Sequence, residues 1–225
     1  MELLPGFSKP SPSPDTKLEC IRYRDRSCCK PGITNTFEEN ENFQNITIYN
    51  ICPQKSSLSS ACHREFFDEL CFFLCSPNIG PWITEATHDA APEKERFKDV
   101  PLCASECNRW WDACKHEFTC YVNWYNDVVR DANGLNICGP GQQCRRYDAI
   151  YNSSTNFCET IWDFSFKVTP DDQPCMKFGF DVNKPNPNID VARRKVGVIS
   201  ACPPFSSVLY FLHFVCVVIC ILTMW

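Results

Sequence analysis

Cysteine is the residue type whose number and spacing could support the most chemistry in this chain of 225 residues. Fifteen of its 18 cysteines lie between Cys20 and Cys175, and the other three lie near the C-terminus. Thiols at this density either bind metal ions or, in an oxidising compartment, pair as disulfides. Because fifteen is an odd number, one of these thiols is expected to lack a partner among them.

The spacing of the cysteines favours disulfides over a metal site. Zinc sites combine C-x2-C pairs with histidine, whereas most spacings here are three or longer and the four histidines form no ligand pattern. Catalytic motifs are scarce too: there is no G-x-S-x-G, the acidic residues are scattered, and an oxidised cysteine cannot act as a nucleophile. We therefore expect no metal, no cofactor and no enzymatic activity.

Other features of the sequence indicate export from the cell. Asn45 and Asn152 each begin a glycosylation sequon, and the net charge of -5 argues against a nucleic-acid partner. The N-terminus lacks the basic start and the apolar run of about 7–15 residues that a secretory signal needs. The native start, signal sequence included, is therefore expected upstream of Met1.

The C-terminal segment has the composition of a membrane anchor. Residues 208–225 are apolar apart from His213 and Thr223, and a helix of that length would span ~27 Å against a hydrocarbon core of ~30 Å. No basic cluster follows it, and the small residues Ser200 and Ala201 precede it. This arrangement favours a lipid-anchor attachment signal, although the spacer is shorter than the usual ~8–12 residues. A short transmembrane anchor is the alternative.

The elements that must position these residues are short. Seventeen prolines against eight glycines, together with the cysteines, indicate long loops. We expect three parts: an extended Pro-rich segment at residues 1–19, a small disulfide-rich α+β domain at residues 20–199 and the anchor at residues 200–225. The domain should contain several short helices and short strands. The sequence pattern predicts helices at residues 59–74, 104–117, 155–163 and 189–195.

Cysteines and aromatic residues lie close together along the chain. Cys71 with Cys75, and Cys103 with Cys107, lie one helical turn apart, so neither pair can bond internally and each helix should be tied to two other segments. Most of the aromatic rings should fill the core. Trp110 and Trp111 are adjacent on a helix, so their side chains point about 100° apart and at most one of them lines a given pocket. A rigid cleft of aromatic rings with one or two charged groups would suit a flat heterocyclic ligand.

Five runs of sequence are long and distinctive. They are C-F-F-L-C-S-P-N-I-G-P-W at 71–82, K-E-R-F and V-P-L-C at 94–103, W-W-D-A-C at 110–114, C-Y-V-N-W at 120–124 and N-P-N-x-x-V-A-R at 186–193. These runs, in this order, resemble the folate receptor family, and the chain is identified as a member of it. The resemblance extends from about Lys9 to Arg193. The family also includes riboflavin-binding proteins and the egg-surface sperm receptor Juno, so membership does not fix the ligand.

The resemblance implies a disulfide connectivity. Family members have one further cysteine, just upstream of the segment that matches Lys9 and Pro10, and it pairs with the position of Cys28. Residues 1–7 stand in its place here, so Cys28 is the cysteine expected to be unpaired. The implied disulfides are Cys20–Cys71, Cys29–Cys75, Cys52–Cys144, Cys62–Cys114, Cys103–Cys175, Cys107–Cys158 and Cys120–Cys138.

The resemblance also implies a ligand site. Phe73 and Trp162 match the two rings that sandwich a pterin in folate receptors. Glu69 stands where a carboxylate accepts hydrogen bonds from the pterin, on a stem one methylene longer. Ser165 and Arg96 match residues that make polar contacts to the pterin. Phe166 matches an adjoining aromatic ring, and Trp124 matches the wall beside the benzoyl group.

The outer half of the implied pocket has changed. Pro92 and Glu93 replace a tryptophan and an arginine, and the family's W-H-K/R-G-W-x-W stretch is W-Y-N-D-V-V-R at 124–130. Arg130 is the only candidate there to replace a lost cation. Because a stacking face contributes ~1 kcal/mol and a charge-assisted bond ~1.5–3 kcal/mol, these changes predict weaker binding of a folate tail.

These features lead to one expected function and two alternatives. We expect a receptor on the extracellular face of the plasma membrane that binds folate or a related pterin-type vitamin and mediates its uptake by endocytosis. The alternatives are an adhesion or gamete-recognition receptor like Juno, with a protein partner and no tight folate binding, and a riboflavin carrier. If Glu69 binds the ligand as an anion, endosomal acidification would protonate it and weaken binding.

Overall fold

The computed structural model describes residues 18, 20–29, 51–52, 54–86, 95–132 and 136–197. The sequon at Asn45, the substitutions Pro92 and Glu93, the Pro-rich start before residue 18 and the C-terminal anchor segment lie outside these residues. The helices are α1 (Ser60–Cys75), α2 (Ala104–Cys114), α3 (Trp124–Asp127), α4 (Ser154–Thr160) and α5 (Asn188–Lys195). Turns of 3-10 helix lie at Ile21–Tyr23, Gly80–Trp82 and Tyr147–Ala149.

Two of the predicted helices end earlier than expected. α2 stops at Cys114 because the chain turns at once into a strand at Phe118–Thr119. α4 stops at Thr160 because Asp163 and Phe164 have φ angles of 50° and 61°, which a right-handed helix cannot contain. α1 and α5 start within one residue of their predicted positions, and α1 extends one residue beyond its predicted end.

The strands are short, and in the described part of the chain they pair only two at a time. β1 (Ile83–Glu85) pairs with β2 (Glu95–Phe97) antiparallel, and β3 (Val100–Cys103) pairs with β8 (Phe166–Thr169) parallel. The remaining pairs are antiparallel and have two residues a strand: β4 (Phe118–Thr119) with β7 (Arg145–Arg146), and β5 (Val129–Arg130) with β6 (Asn136–Ile137).

The main core is built around the fully buried ring of Trp110 on α2. Its ring centroid lies 4.8 Å from that of Phe157 on α4, 5.2 Å from Phe66 on α1 and 5.9 Å from Phe178. The neighbouring Trp111 is only partly buried at the edge of the cluster, as expected for adjacent residues on a helix. The three helices therefore meet at one aromatic cluster.

Covalent bonds hold these short elements together. The structure contains the seven disulfides that the resemblance implies, while Cys28 is half-buried outside them. Cys103 and Cys107 bond two different segments, as predicted. The same prediction is wrong for Cys71 and Cys75, whose partners Cys20 and Cys29 lie in one short segment.

The described elements confirm a disulfide-rich α+β domain. The chain divides into two units, Met1–Ala192 and Arg193–Trp225, and every expected site residue belongs to the first. Among the described helices, none combines the length and the apolar composition needed to cross a bilayer.

Candidate ligand-binding site

The last two turns of α1 carry the central residues of the candidate site. Glu69 and Phe73 are four residues apart and so lie on one face of the helix. The disulfides at Cys71 and Cys75, two residues before and two residues after Phe73, anchor this end of the helix. A helix fixed in this way can present a side chain in one place.

Glu69 is a buried carboxyl that has no hydrogen-bond or ion-pair partner in the part of the chain that the structure describes. Its residue is only 4% exposed, and among the described residues none donates a hydrogen bond or forms an ion pair with it. Burial raises its pKa to about 8, because an apolar environment penalises the charged form. Buried charges are normally paired, so this carboxyl has the properties of a group that receives a ligand.

The other buried acidic residues of α1 show what a structural carboxylate looks like in this protein. Glu65 accepts hydrogen bonds from Arg109 at 2.9 and 3.0 Å. Asp68, the residue next to Glu69, forms an ion pair with Arg22. Each therefore has a cation that ties the helix to another segment, whereas Glu69 has none among the described residues.

The two rings expected to sandwich a ligand are both partly exposed. Phe73 packs edge-on against Phe97, with ring centroids 5.0 Å apart. Trp162 packs edge-on against Trp124 at 5.6 Å. Both rings lie at the margin of the core cluster, and their stacking on a ligand remains a prediction.

Trp124 and Phe166 are core residues. Trp124 is 2% exposed and contacts Phe66 at 5.7 Å as well as Trp162. Phe166 contacts Phe72 at 6.2 Å and Phe178 at 5.3 Å. These contacts account for both side chains as ordinary packing, so a ligand contact by either one also remains a prediction.

The segment after α4 is held in an unusual conformation beside Trp162. Ser165 donates a hydrogen bond from Oγ to the carbonyl of Trp162 at 2.8 Å. Asp99, Asp163 and Phe164 all have positive φ angles, of 56°, 50° and 61°, which cost free energy in residues other than glycine. Such strain concentrates at functional sites. Two of these residues bond each other directly, since the Asp99 N–H donates to the Phe164 carbonyl at 2.9 Å.

Arg96 on β2 joins this segment to the rest of the site. Its Nη1 donates to the Asp163 carboxylate at 2.5 Å, and its Nη2 donates to the carbonyls of Trp162 (3.2 Å) and Asp163. The guanidinium carbon lies 4.3 Å from the ring centroid of Tyr125. Arg96 is only 8% exposed, so its charge is satisfied largely inside the protein.

Asp163 and Tyr125 are site residues that the sequence did not identify. Asp163 also accepts hydrogen bonds from Asn123 (2.9 Å) and Asn126 (3.4 Å). Burial opposes its ionisation, but the hydrogen bonds from Arg96 and Asn123 outweigh that effect and hold its pKa below the ordinary value. For Asp163, the one signal of a site role in the sequence was its position directly after Trp162.

Among the described residues, one group of three sulfur atoms is close enough together to hold a metal ion. The Sγ atoms of Cys52, Cys138 and Cys144 lie within 4.8 Å of one another. Each belongs to a disulfide, Cys52–Cys144 or Cys120–Cys138. The group is therefore the place where two disulfides adjoin, and it offers no thiolate for a metal ion.

Comparison with known proteins points to one family. The model of the folate receptor family matches residues 5–177. The chain is 31% identical to folate receptor alpha of Homo sapiens over 204 residues, covering 88% of this chain and 77% of that protein. It is 32% identical to folate receptor alpha of Bos taurus over 190 residues (82% and 76%). It is 34% identical to the riboflavin-binding protein of Gallus gallus over 172 residues (75% and 67%).

Replacing Glu69 by glutamine should remove a pH dependence of stability. The carboxyl has a pKa of about 8 in the folded protein and about 4.3 when unfolded. Its contribution is therefore fully present below about pH 4.3 and is lost as the pH rises through about 8. Between pH 5 and pH 8 we expect the wild type to lose up to about 1.4 kcal/mol per pH unit more stability than E69Q.

The measurement is the thermal midpoint of both proteins at pH 5, 6, 7 and 8. Glu85→Gln, which removes an exposed carboxylate on β1, is the matched control and should follow the wild type. Parallel curves for E69Q and the wild type would show that Glu69 is not held protonated by burial.

Proposed function

The chain belongs to the folate receptor family, and on that premise we propose that it is a cell-surface receptor that binds folate or a related pterin at the Glu69 site. Uptake by endocytosis is part of the same proposal. The observation that supports it most is the buried Glu69 carboxyl, which has no hydrogen-bond donor among the described residues. No enzymatic chemistry is involved, since relatives in this family are named as receptors and binding proteins.

The chemistry of the site suits the ring end of a pterin. A pterin presents an amino group and a ring N–H side by side, and an ionised carboxylate can accept both hydrogen bonds. The partly exposed rings of Phe73 and Trp162 offer flat apolar faces for the heterocycle. Ligand donors would replace the water that Glu69 lost on burial, so binding should lower its pKa.

A riboflavin carrier is the second candidate, and one observation favours it. The chain is about as similar to a riboflavin-binding protein as to the folate receptors. A flavin presents a ring N–H between two carbonyl oxygens, and a protonated carboxyl can both accept from the N–H and donate to an oxygen. The protonation state of Glu69 in the complex therefore separates the two ligands.

A titration with three ligands tests the proposed function directly. We expect folic acid and pteroic acid to quench tryptophan fluorescence at micromolar concentration at pH 7.4, because Trp162 and Trp124 lie at the proposed site. In Glu69→Gln the affinity should fall about tenfold or more, since an amide cannot accept two hydrogen bonds as a charged acceptor. Glu85→Gln should bind like the wild type. Quenching by none of folic acid, pteroic acid and riboflavin would exclude a vitamin-binding site and leave the adhesion alternative.

The pH dependence of affinity distinguishes the pterin from the flavin. If a pterin binds the Glu69 anion, affinity should fall toward tenfold for each pH unit below about 8, because the carboxyl must first lose its proton. Affinity for a flavin that binds the neutral carboxyl should not fall over that range. Fluorescence titrations at pH 8.0, 7.0, 6.0 and 5.5 measure both. A pterin affinity that stays constant to pH 5.5 would show that the anion is not required.

We also propose that the protein is held at the extracellular face of the plasma membrane by a lipid anchor attached near residue 200. The supporting observations are the seven disulfides and the apolar sequence of residues 208–225. Glycosylation at Asn45 and Asn152 belongs to the same proposal.

Expression in animal cells behind a secretory signal tests the anchor. We expect phosphatidylinositol-specific phospholipase C to release the protein from the cell surface. A variant that ends at residue 199 should appear in the medium without the enzyme. Surface protein that resists the phospholipase would indicate the transmembrane alternative.

A further inference from the structure

The donors of Arg96 are almost all used within the protein. A guanidinium has five N–H donors. Nε bonds the carbonyl of Phe97 at 3.4 Å, Nη1 bonds the Asp163 carboxylate, and Nη2 bonds the carbonyls of Trp162 and Asp163. Among the described residues nothing accepts from the fifth N–H, which remains for a ligand.

The charge of Arg96 is also neutralised within the protein. The Asp163 carboxylate lies 2.5 Å from Nη1, and its second oxygen is held by Asn123 at 2.9 Å. The face of the guanidinium lies over the ring of Tyr125. A buried charge with these partners has little electrostatic attraction left for a further anion.

The backbone is strained at and next to the acidic residue of this ion pair. Asp163 and Phe164 both have left-handed φ angles, and Phe164 is left 52% exposed. Aspartate adopts this conformation more readily than most residues, whereas phenylalanine is not a residue type that favours it. In return, both the carboxylate and the carbonyl of Asp163 reach Arg96.

The result is an uneven distribution of charge around the proposed ligand. Glu69 is buried without a cation among the described residues. The Arg96 cation bonds the carbonyl of Trp162, follows Glu95 and precedes Phe97, whose ring contacts Phe73 at 5.0 Å, and it is balanced by Asp163. An anionic group next to a bound ring would find one remaining N–H from Arg96 and no net positive charge from the Arg96–Asp163 pair.

We propose that Asp163 is a specificity-determining residue because it neutralises the charge of Arg96. The site then binds flat heterocycles with an uncharged or cationic ring end and rejects those with an anionic group beside the ring. This inference rests on the proposed function, because it assumes that a flat heterocycle binds between Phe73 and Trp162. It assigns the charge selectivity of that site to the Arg96–Asp163 pair.

Two probes that differ in one carboxylate measure the selectivity. The neutral probe is 6-methylpterin and the anionic probe is pterin-6-carboxylate, each titrated by tryptophan fluorescence at pH 8. We expect the wild type to prefer the neutral probe by about tenfold or more, since a carboxylate there loses its hydration without an uncompensated cation to replace it. In Asp163→Asn the charge of Arg96 is no longer neutralised, and the preference should shrink by about tenfold or more.

Three further variants make the result specific. Asp163→Glu retains the carboxylate and should keep most of the wild-type preference. The double variant Asp163→Asn with Arg96→Met should lose the gain for the anionic probe, because the released cation is gone. Asp112→Asn changes the net charge equally at an exposed pair with Lys115 and should behave as the wild type. Thermal midpoints verify that each variant is folded, and asparagine suits the left-handed position at least as well as aspartate.

The outcomes separate the two proposals. A folded Asp163→Asn that binds the neutral probe with an unchanged preference would overturn the role of Asp163 and leave the proposed function intact. An equal gain for both probes would also overturn it, because the effect would not depend on ligand charge. Binding of neither probe by the wild type or by any variant would overturn the proposed function and this inference together.

Discussion

Covalent cross-linking is the constraint on which the rest of this structure depends. No described sheet has more than two strands, and α3 and α4 are only about one and two turns long, so backbone hydrogen bonding alone gives little cooperativity. Seven disulfides join segments that are 18 to 92 residues apart in the chain. They restrict the unfolded chain and hold α1, α2 and α4 around Trp110.

That rigidity explains how the protein can hold a carboxyl in an unfavourable place. Two disulfides fix the last turn of α1, and the ion pairs of Glu65 and Asp68 fix the preceding turn. Glu69 lies between these anchors and is 4% exposed. The site has a buried acceptor whose desolvation is offset when a ligand supplies donors. Arg96 and Asp163 satisfy each other, and the pair positions Trp162 through its carbonyl.

The sequence predicted the parts of this arrangement that depend on local pattern or on long shared motifs. The start of α1 follows from the serine cap at Ser59 and the apolar spacing of the helix. The seven cysteine pairs came from the resemblance to the folate receptor family, since spacing alone leaves many pairings open. The early end of α4 and the ion pair between Arg96 and Asp163 were not predicted. Both depend on the left-handed backbone at Asp163 and Phe164. Aspartate is enriched in that conformation but occurs mostly outside it, and phenylalanine gives no signal of it.

The central claim is that Glu69 is protonated in the free protein and binds its ligand as an anion. Isothermal titration calorimetry with pteroic acid at pH 7, repeated in buffers of different ionisation enthalpy, counts the protons exchanged on binding. With a free pKa of about 8, the wild type should release about one proton per bound ligand and Glu69→Gln should release none. Binding by the wild type without proton release would contradict the claim, because the carboxyl would then remain neutral in the complex.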